Sequence, residues 1–269
     1  MDLEKLNIKR KSIIKNILKI AVEGGSSAAH LGGALSSADI VTCLFFSIMN
    51  YHKDNYTSEN RDRFILSKGH ACLVLYSALL EKKIISWDQV KEFEKDNSNF
   101  PGHPVKNEEI GIEFSTGSLG MGIGLSIGVA LGLRKKKLNN KIFVLLGDGE
   151  CNEGSVWEAL LAISHHNLKN IVLVVDKNNF QQTGKTQDII SNSNLLEKFQ
   201  SFGIFTKEID GHSLEEINKT FLELLNSDKP SAIIANTIKG HGVKQFENDN
   251  KWHHSILTQE MYEECVKNF

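Results

Sequence analysis

The chain has 269 residues, of which 41% are hydrophobic and 24% charged, so it can bury a full core. Its formal net charge of −2 provides no basic field for nucleic acid or for an anionic membrane surface. Because no apolar stretch reaches the roughly 20 residues that cross a bilayer, and the four cysteines form no CxxC pair, we expect a cytoplasmic protein with reduced thiols and no membrane contact.

Two amphipathic helices are predicted near the start of the chain. Residues 8–22 carry apolar side chains at helical spacing, among them Ile13, Ile17 and Leu18. Ser36, with Asp39 three residues later, matches a pattern that caps the first turn of a second helix. Both helices are expected to pack an apolar face against the rest of the protein.

Three short apolar segments rich in β-branched residues predict strands at 142–146, 171–175 and 232–235. Helical patterns at 156–163 and Leu214–Leu225 alternate with them. This alternation predicts an α/β fold, with a doubly wound, mostly parallel sheet covered by helices on both faces. Since the chain contains no repeat and no flexible linker, residues 1–269 are expected to form a single domain.

Polar residues follow two of the predicted strands directly. Gly147-Asp148-Gly149 comes after the strand at 142–146, and Asn178-Asn179 comes soon after the strand at 171–175. Ligands of such sheets sit beyond the carboxyl ends of the strands. A carboxylate, a side-chain amide and backbone carbonyls are the hard oxygen ligands that Mg²⁺ prefers when it is shared with a diphosphate. Either motif alone is also typical of an ordinary turn, but their combination after two strands favours a cofactor site.

These residues resemble the thiamine diphosphate signature, and further segments resemble the transketolase family along nearly the whole chain. The matching segments occur in the family's order. They are Ala29-His30-Leu31-Gly32-Gly33-Ala34-Leu35-Ser36, Asp62 to His70, Gly102-His103-Pro104, Thr116 to Gly120, Gly147 to Glu150, Glu153-Gly154, Trp157-Glu158-Ala159, Lys239 to Gly242, and Trp252-His253. The resemblance implies the thiamine diphosphate-binding fold.

The resemblance also implies roles for individual residues around the cofactor. Asp148, the side chain of Asn178 and the backbone carbonyl of Phe180 would hold Mg²⁺. The expected contacts to thiamine diphosphate are Gly149, Asn178, His70 and His253 on the diphosphate side, with backbone groups of Gly117 and Leu119 at the aminopyrimidine ring.

Histidines are implied as the groups that act on the substrate. His30, His70, His103 and His253 would line the channel where the sugar's hydroxyl groups reach the cofactor. Cleavage of a ketose requires removal of a proton from a hydroxyl group, for which imidazole is suited near neutral pH. Glu153 is similar to the carboxylate that couples neighbouring sites across the family's dimer. The remaining histidines at 52, 165, 166 and 212 are interpreted as structural or surface residues.

Four positions depart from the pattern that is common in the family. Ala29 replaces a frequent glycine, and Met121 stands where glutamine is usual, which removes a hydrogen-bonding group and indicates an altered substrate preference. His241 stands where lysine is common, and His254 where glycine is common. Neither of these two histidines receives a role from the sequence.

The expected function is that of the N-terminal, diphosphate-binding subunit of a split transketolase. Such an enzyme transfers a two-carbon ketol unit from a ketose or its phosphate to an aldose. The family's second domain supplies a glutamate that activates the aminopyrimidine, and no residue of this chain is a candidate for it. We therefore expect activity only with a complementary C-terminal subunit that binds the pyrimidine half, in an α₂β₂ assembly with an apolar interface.

Three alternative functions share some of these features. Half-subunits of deoxyxylulose phosphate synthase or of a 2-oxoacid dehydrogenase have the same Gly-Asp-Gly and Asn pattern, but Gly102-His103-Pro104 and Trp157-Glu158-Ala159 favour transketolase. A nicotinamide-binding enzyme is disfavoured because the glycines at 120–124 follow no strand and precede no suitable acidic residue. A non-catalytic relic is disfavoured because the metal ligands and four histidines are intact. The ketose donor, the aldose acceptor and the pathway stay open.

Overall fold

The computed structural model describes residues 2–267, which are built around one parallel sheet. Its five strands are β1 (Arg63–Leu66), β2 (Ile142–Gly147), β3 (Ile171–Lys177), β4 (Phe205–Asp210) and β5 (Ser231–Asn236). They lie side by side in the order β1-β2-β3-β5-β4, and every neighbouring pair is parallel. The carboxyl ends of all five strands therefore meet at one edge of the sheet.

Eleven α-helices accompany this sheet within residues 2–267. They are α1 (Leu3–Glu23), α2 (Leu31–Ser36), α3 (Ala38–Cys43), α4 (Cys72–Glu81), α5 (Trp87–Val90), α6 (Met121–Lys135), α7 (Gly154–His165), α8 (Thr186–Ile189), α9 (Leu195–Ser201), α10 (Leu214–Leu225) and α11 (Gln259–Val266). A π-helical turn, Leu44–Ile48, follows α3, and short 3₁₀ helices lie at Gly69–Ala71, Glu108–Ile110, Gly149–Asn152 and Asn250–His253.

The two faces of the sheet bury two separate hydrophobic clusters. Along β2, Val144 and Leu146 point toward α6, α7 and α9, whereas Phe143 and Leu145 point toward α1, α2, α3, α4 and α10. Strands buried on both faces need apolar side chains at every position, which is why the interior strands read as continuous apolar segments. The predicted fold class, a parallel α/β sheet with helices on both faces, is confirmed.

The three predicted strands correspond to β2, β3 and β5, and α10 has the predicted bounds. The sequence did not predict β1 and β4. Four residues form β1, and β4 lies at the edge of the sheet with alternating polar residues such as Lys207 and Glu208, so neither forms a continuous apolar segment. Among the described residues, no helix is both long enough and apolar enough to span a membrane.

The predicted capping role of Ser36 is wrong. Ser36 ends α2, and the residue before α3 is Ser37, whose side chain makes no capping hydrogen bond. The Ser36 hydroxyl instead donates to the buried carboxylate of Asp176 at 2.6 Å. A buried carboxylate needs donors more than a short helix needs a cap, because an unpaired buried charge costs several kcal/mol.

Candidate functional site

A cleft of about 450 Å³ opens at the carboxyl edge of the sheet. Segments that follow β1, β2, β3 and β5 form its floor, as expected for a parallel sheet. All eleven predicted site residues lie on its wall: His30, His70, His103, Gly117, Leu119, Asp148, Gly149, Glu153, Asn178, Phe180 and His253. The structure thus brings together residues that are up to 223 positions apart, counted from His30 to His253.

Asp148 lies at the floor of the cleft, where β2 ends and a 3₁₀ helix begins. Its carboxylate accepts hydrogen bonds from the backbone N–H groups of Gly149 at 2.9 Å and Asn179 at 2.8 Å, and from the hydroxyl of Thr186 at 3.1 Å. Burial, with the negative charge of Asp176 as the next cause, raises the pKa of Asp148 to about 6. A buried carboxylate of raised pKa is stabilised by a cation, because a cation restores the charge balance.

Asn178 is oriented by the buried ion pair of Lys68 and Asp176. The Lys68 ammonium contacts the Asp176 carboxylate at 2.5 Å, and the Asn178 amide nitrogen donates to the same carboxylate at 3.0 Å. Since a carboxylate only accepts, the NH₂ group of Asn178 must face it, and the amide oxygen must face the other way. That oxygen accepts from the backbone N–H of Phe180 at 3.1 Å.

These donors suit a hard divalent cation. A carboxylate from Asp148, the amide oxygen of Asn178 and the carbonyl of Phe180 are all oxygen ligands on one side of the cleft, which is the set that Mg²⁺ takes together with phosphate oxygens. A cation bound by these ligands would also offset the charge repulsion between Asp148 and Asp176.

The floor of the cleft also contains hydrogen-bond donors that have no acceptor, which suits the binding of an anion. The side-chain nitrogens of Asn152 and Gln181 are buried and have no hydrogen-bond partner, and both residues line the cleft. Gly149 is needed there because a Cβ atom would lie 2.7 Å from the Gln181 side chain. Backbone therefore approaches the cleft closely at a point where phosphate oxygens would be bound by N–H groups.

Lys239, from the segment after β5, adds a buried cation to this wall. Its ammonium donates to Asn250 Oδ1 at 2.6 Å and to the carbonyl of Gln181 at 3.2 Å, and it lies 2.9 Å from His253 Nδ1. Burial, opposed in part by the charge of Asp148, lowers the pKa of Lys239 to about 8. At neutral pH this ammonium is still the charged form, so it would attract an anionic group to the cleft.

The four predicted histidines form one cluster. The His30 ring lies 5.3 Å from that of His70, 5.5 Å from His103 and 5.5 Å from His253, centre to centre, and His70 stacks on His253 at 5.4 Å. Burial is the main cause that lowers the pKa of His30 to about 3 and of His253 to about 4, and it also lowers the pKa of His70. These three imidazoles are therefore neutral at pH 7, so each has a ring nitrogen that can accept a hydrogen bond.

The opposite wall is formed by the loop before α6. Gly117 has a φ of 138°, and a Cβ there would lie 2.7 Å from the His103 ring, so only glycine fits. The buried carboxylate of Glu150 accepts from the N–H groups of Gly120 at 2.9 Å and Gly147 at 3.1 Å, which joins this loop to the end of β2. Leu119 is 37% exposed at the rim. Glu153, exposed at the start of α7, is also on the rim.

Sequence reasoning missed the roles of Lys68, Asp176 and Lys239. Two signals were present. Asp176 directly follows the apolar segment at 171–175, and a charged residue at the end of a buried strand requires a partner. Lys68 and Lys239 each follow a strand, β1 and β5, at the edge where ligands bind. Their partners are far away in sequence, so no local pattern identified the pairs.

The other histidines lie away from the cleft, apart from His254. His212 Nδ1 lies 2.8 Å from the fully buried carboxylate of Asp39, and its Nε2 accepts from the Ile238 N–H, so the proton is on Nδ1. His241 stacks on His212 at 3.5 Å. Because both nitrogens of His212 are occupied by hydrogen bonds, this cluster is a structural one.

Two of the four departures from the family's pattern are also located. Met121 begins α6 and is 59% exposed, beside the loop that carries Leu119. The ring of His254 lies 4.3 Å from that of His30. His254 thus extends the histidine cluster toward solvent.

Comparison with known proteins gives a consistent result. The family model described as "Transketolase, thiamine diphosphate binding domain" matches residues 9–269. One of the subunits of apulose-4-phosphate transketolase from Phocaeicola vulgatus is 36% identical over 268 residues, which are 99% of this chain and 94% of that protein. The 6-deoxy-6-sulfo-D-fructose transketolase subunit SqwG of a Clostridium species is 34% identical, over 97% of this chain and 93% of that protein.

Solved structures agree with these relatives. Transketolase from Campylobacter jejuni superimposes with a TM-score of 0.91 and 31% identity, covering 100% of this chain. This chain spans only 43% of the Campylobacter protein, and likewise 40% of human transketolase, to which it is 34% identical.

Proposed function

The chain belongs to the transketolase family, and from that premise we propose that it is the N-terminal subunit of a two-chain transketolase. The enzyme transfers a two-carbon ketol unit from a ketose or ketose phosphate to an aldose. The observation that carries this proposal is that one cleft joins an oxygen-donor corner, Asp148 and Asn178, to a cluster of neutral imidazoles. The oxygen-donor corner is suited to a metal diphosphate, and the imidazole cluster is suited to a polyhydroxylated substrate.

The cofactors of this function are thiamine diphosphate and Mg²⁺. Asp148, Asn178 and the Phe180 carbonyl hold the metal, and Gly149, Asn178, His70 and His253 bind the diphosphate, with Lys239 supplying positive charge beside His253. Backbone groups of Gly117 and Leu119 bind the aminopyrimidine. Thiamine diphosphate, when bound, supplies the electron sink that makes cleavage of the ketose's carbon–carbon bond possible.

The chain's own part in catalysis is to bind, orient and deprotonate. A neutral imidazole offers one acceptor nitrogen and one N–H donor, so it can accept a hydroxyl proton and also orient a second hydroxyl group. His30, His70 and His253 are half-buried in the cleft, whereas His103 is exposed at its mouth. The deeper three therefore act near the reacting carbon and His103 acts on the more distant part of the sugar.

Replacement of His103 with alanine tests this division. The variant is expected to bind thiamine diphosphate with unchanged affinity, because the exposed His103 side chain is not among the groups proposed to bind the metal or the cofactor. Turnover in the reconstituted enzyme is expected to fall on the order of 100-fold, because the sugar is no longer held in position. Cofactor affinity is measured by calorimetry and turnover with the two chains mixed. His52→Ala, at an exposed histidine outside the cleft, is the matched control, and equal turnover of the two variants would remove His103 from the substrate site.

A complementary C-terminal subunit is proposed to close the cleft. The relatives that this chain matches along 94% and 93% of their length are both named as subunits of a transketolase. Two of the exposed apolar side chains lie on the rim of the cleft itself, Leu119 at 37% and Ile190 at 60% exposure. A partner that covers this rim would exclude water from the reaction. We propose two copies of each subunit, with Glu153 at the contact between neighbouring sites.

The exposed face of α6 continues this rim. Met121 and Leu125 are 59% and 39% exposed, and Gly124 and Gly128 have no atom within 4 Å of the place where a Cβ would stand. Because α6 begins directly after the cleft loop, the same complementary subunit can cover both surfaces. Glycines on an apolar helix face allow a second helix to approach closely.

Gly128→Phe should separate folding from assembly. The free space around Gly128 means that the isolated chain keeps its fold, whereas an aromatic side chain blocks the approach of a partner helix. We expect the affinity of the two subunits to fall at least about 10-fold, since a clash in a packed interface costs more than about 1.4 kcal/mol. Sedimentation velocity of the mixed chains measures this. Lys219→Phe, on an exposed position of α10, is the control, and unchanged assembly of Gly128→Phe would move the interface away from α6.

The decisive experiment is reconstitution. Ketol transfer from xylulose 5-phosphate to ribose 5-phosphate is measured with thiamine diphosphate and Mg²⁺, first with this chain alone and then with its complementary subunit. Activity in the mixture only would support ketol transfer and the need for a complementary subunit, and activity of the single chain would refute that need. If the mixture is inactive, apulose 4-phosphate and 6-deoxy-6-sulfofructose follow as donors, because the relatives' names indicate them. Decarboxylation of a 2-oxoacid would refute the proposed reaction.

A further inference from the structure

His254 lies nearer to His30 than any other histidine of the cluster does. The two ring centres are 4.3 Å apart and the ring planes are inclined by 31°, while the rings of His70, His103 and His253 lie 5.3 to 5.5 Å from His30. His254 is exposed and His30 is half-buried. The outer ring thus covers one side of the inner ring at the mouth of the cleft.

Backbone pairing holds these two rings together. The N–H of Ala29 donates to the carbonyl of Ser255 at 2.9 Å, and the N–H of Ser255 donates to the carbonyl of Ala29 at 3.1 Å. This antiparallel bridge joins the residue before His30 to the residue after His254. Neither ring needs a side-chain hydrogen bond to keep its position, because the backbone brings the two segments into register.

The groups around His30 are all bases. Four of them disfavour a positive charge on His30: His254, His253, His103 and Lys239. The ring of His70, from the turn after β1, lies 5.3 Å from the His30 ring. Burial is the largest cause that lowers the pKa of His30 to about 3, and His254 is the next. A positive charge on His30 would be buried and would lie near the ammonium of Lys239 and the neighbouring imidazoles. The cluster therefore disfavours protonation of His30.

We propose that His254 is a positioning residue, which packs on the His30 ring, shields it from water and holds it in an orientation that offers an acceptor nitrogen to a substrate hydroxyl group. This inference rests on the proposed function, since it assigns a use to neutral His30. It adds a fifth imidazole to the four of the cleft, one that acts through His30 and not on the substrate.

Three variants at position 254 separate the effect of the ring from that of its charge. His254→Ala removes both, His254→Phe keeps an aromatic ring without a charge, and His254→Lys keeps a charge without the ring. Titration of the histidine ring nitrogens by NMR, in the isolated full-length chain labelled at histidine, follows His30 directly. The variant His30→Gln lacks this imidazole, so the signals missing from its spectrum are those of His30.

We expect the titration midpoint of His30 to rise in His254→Ala, because the His30 ring becomes more exposed to water and the electrostatic repulsion from His254 is removed. His254→Phe should show a smaller rise, because the ring still excludes water. The same His30 midpoint in wild type and His254→Ala would overturn the proposal.

A kinetic measurement gives the second readout. In the reconstituted enzyme, kcat/KM is measured as the pH is lowered. The kcat/KM of His254→Ala should begin to fall at a higher pH than that of the wild type, because protonated His30 cannot accept a proton. A uniform loss at all pH values would instead indicate a purely structural role and overturn the proposal. The NMR titration uses neither substrate nor partner, so it holds or fails independently of whether ketol transfer is the reaction.

Discussion

Asp148→Asn is expected to abolish Mg²⁺-dependent binding of thiamine diphosphate while the chain stays folded. An amide cannot supply the negative charge that the proposed metal site requires, so affinity should fall on the order of 100-fold or more. Calorimetric titration of thiamine diphosphate with and without Mg²⁺ measures the loss. Asp54→Asn, at an exposed aspartate outside the cleft, is the matched control.

The stability of the same variant provides an internal check. The pKa of Asp148 in the folded chain, about 6, lies above its ordinary value of 3.8. Without metal, the free energy of unfolding therefore falls as the pH rises from 3.8 to 6, and the whole loss is present above pH 6. That difference corresponds to about 3 kcal/mol. Removing the charge should therefore leave the unfolding free energy at pH 7 no lower than in wild type. Retained Mg²⁺-dependent affinity in a folded variant would exclude Asp148 as a ligand.

Lys68→Met should lower the unfolding free energy by about 3 to 5 kcal/mol, because it leaves the buried carboxylate of Asp176 without its cation. Burial acts to raise the pKa of Asp176, but the ammonium of Lys68 and neighbouring hydroxyl groups keep that pKa below its usual value. Denaturation by urea measures the change. Lys53→Met, at an exposed lysine, is the control for loss of a positive charge.

A double-mutant cycle distinguishes the ion pair from simple loss of packing. In Lys68→Met with Asp176→Asn, no charge is left unpaired, so part of the lost stability should return. Ser36 and Thr237 donate to different oxygens of Asp176 in the wild type. The single amide oxygen of asparagine can still accept from one of these hydroxyl groups, and its NH₂ group can donate to the other. A double variant that is less stable by the sum of the two single changes would show that the two side chains do not stabilise each other.

The central part of the fold was predictable from the sequence. Strands β2, β3 and β5 are buried on both faces, so their apolar side chains follow one another without interruption and the pattern is visible locally. Strand β4 was missed because it is an edge strand with alternating exposure, and β1 because four residues form no distinct pattern.

The candidate site was predictable for a related reason. Parallel strands end at the same edge of a sheet, so Asp148 after β2 and Asn178 after β3 had to lie near each other once the strands were assigned. The histidines came from the family resemblance and not from spacing, since His30, His103 and His253 belong to segments with no common local pattern. All of them lie on the wall of the cleft.

The sequence by itself determined the fold class, the carboxyl edge as the location of the site, and the positions of Asp148 and Asn178 at that edge. These depend on local order, because burial on both faces of a strand and the strand's direction are encoded in consecutive residues. Only the tertiary structure decided the pairing of Lys68 with Asp176, of Lys239 with His253 and of His254 with His30. Periodicity reports whether a side chain is buried but not which distant group it meets, so these polar and aromatic contacts are fixed by the packing of the folded chain.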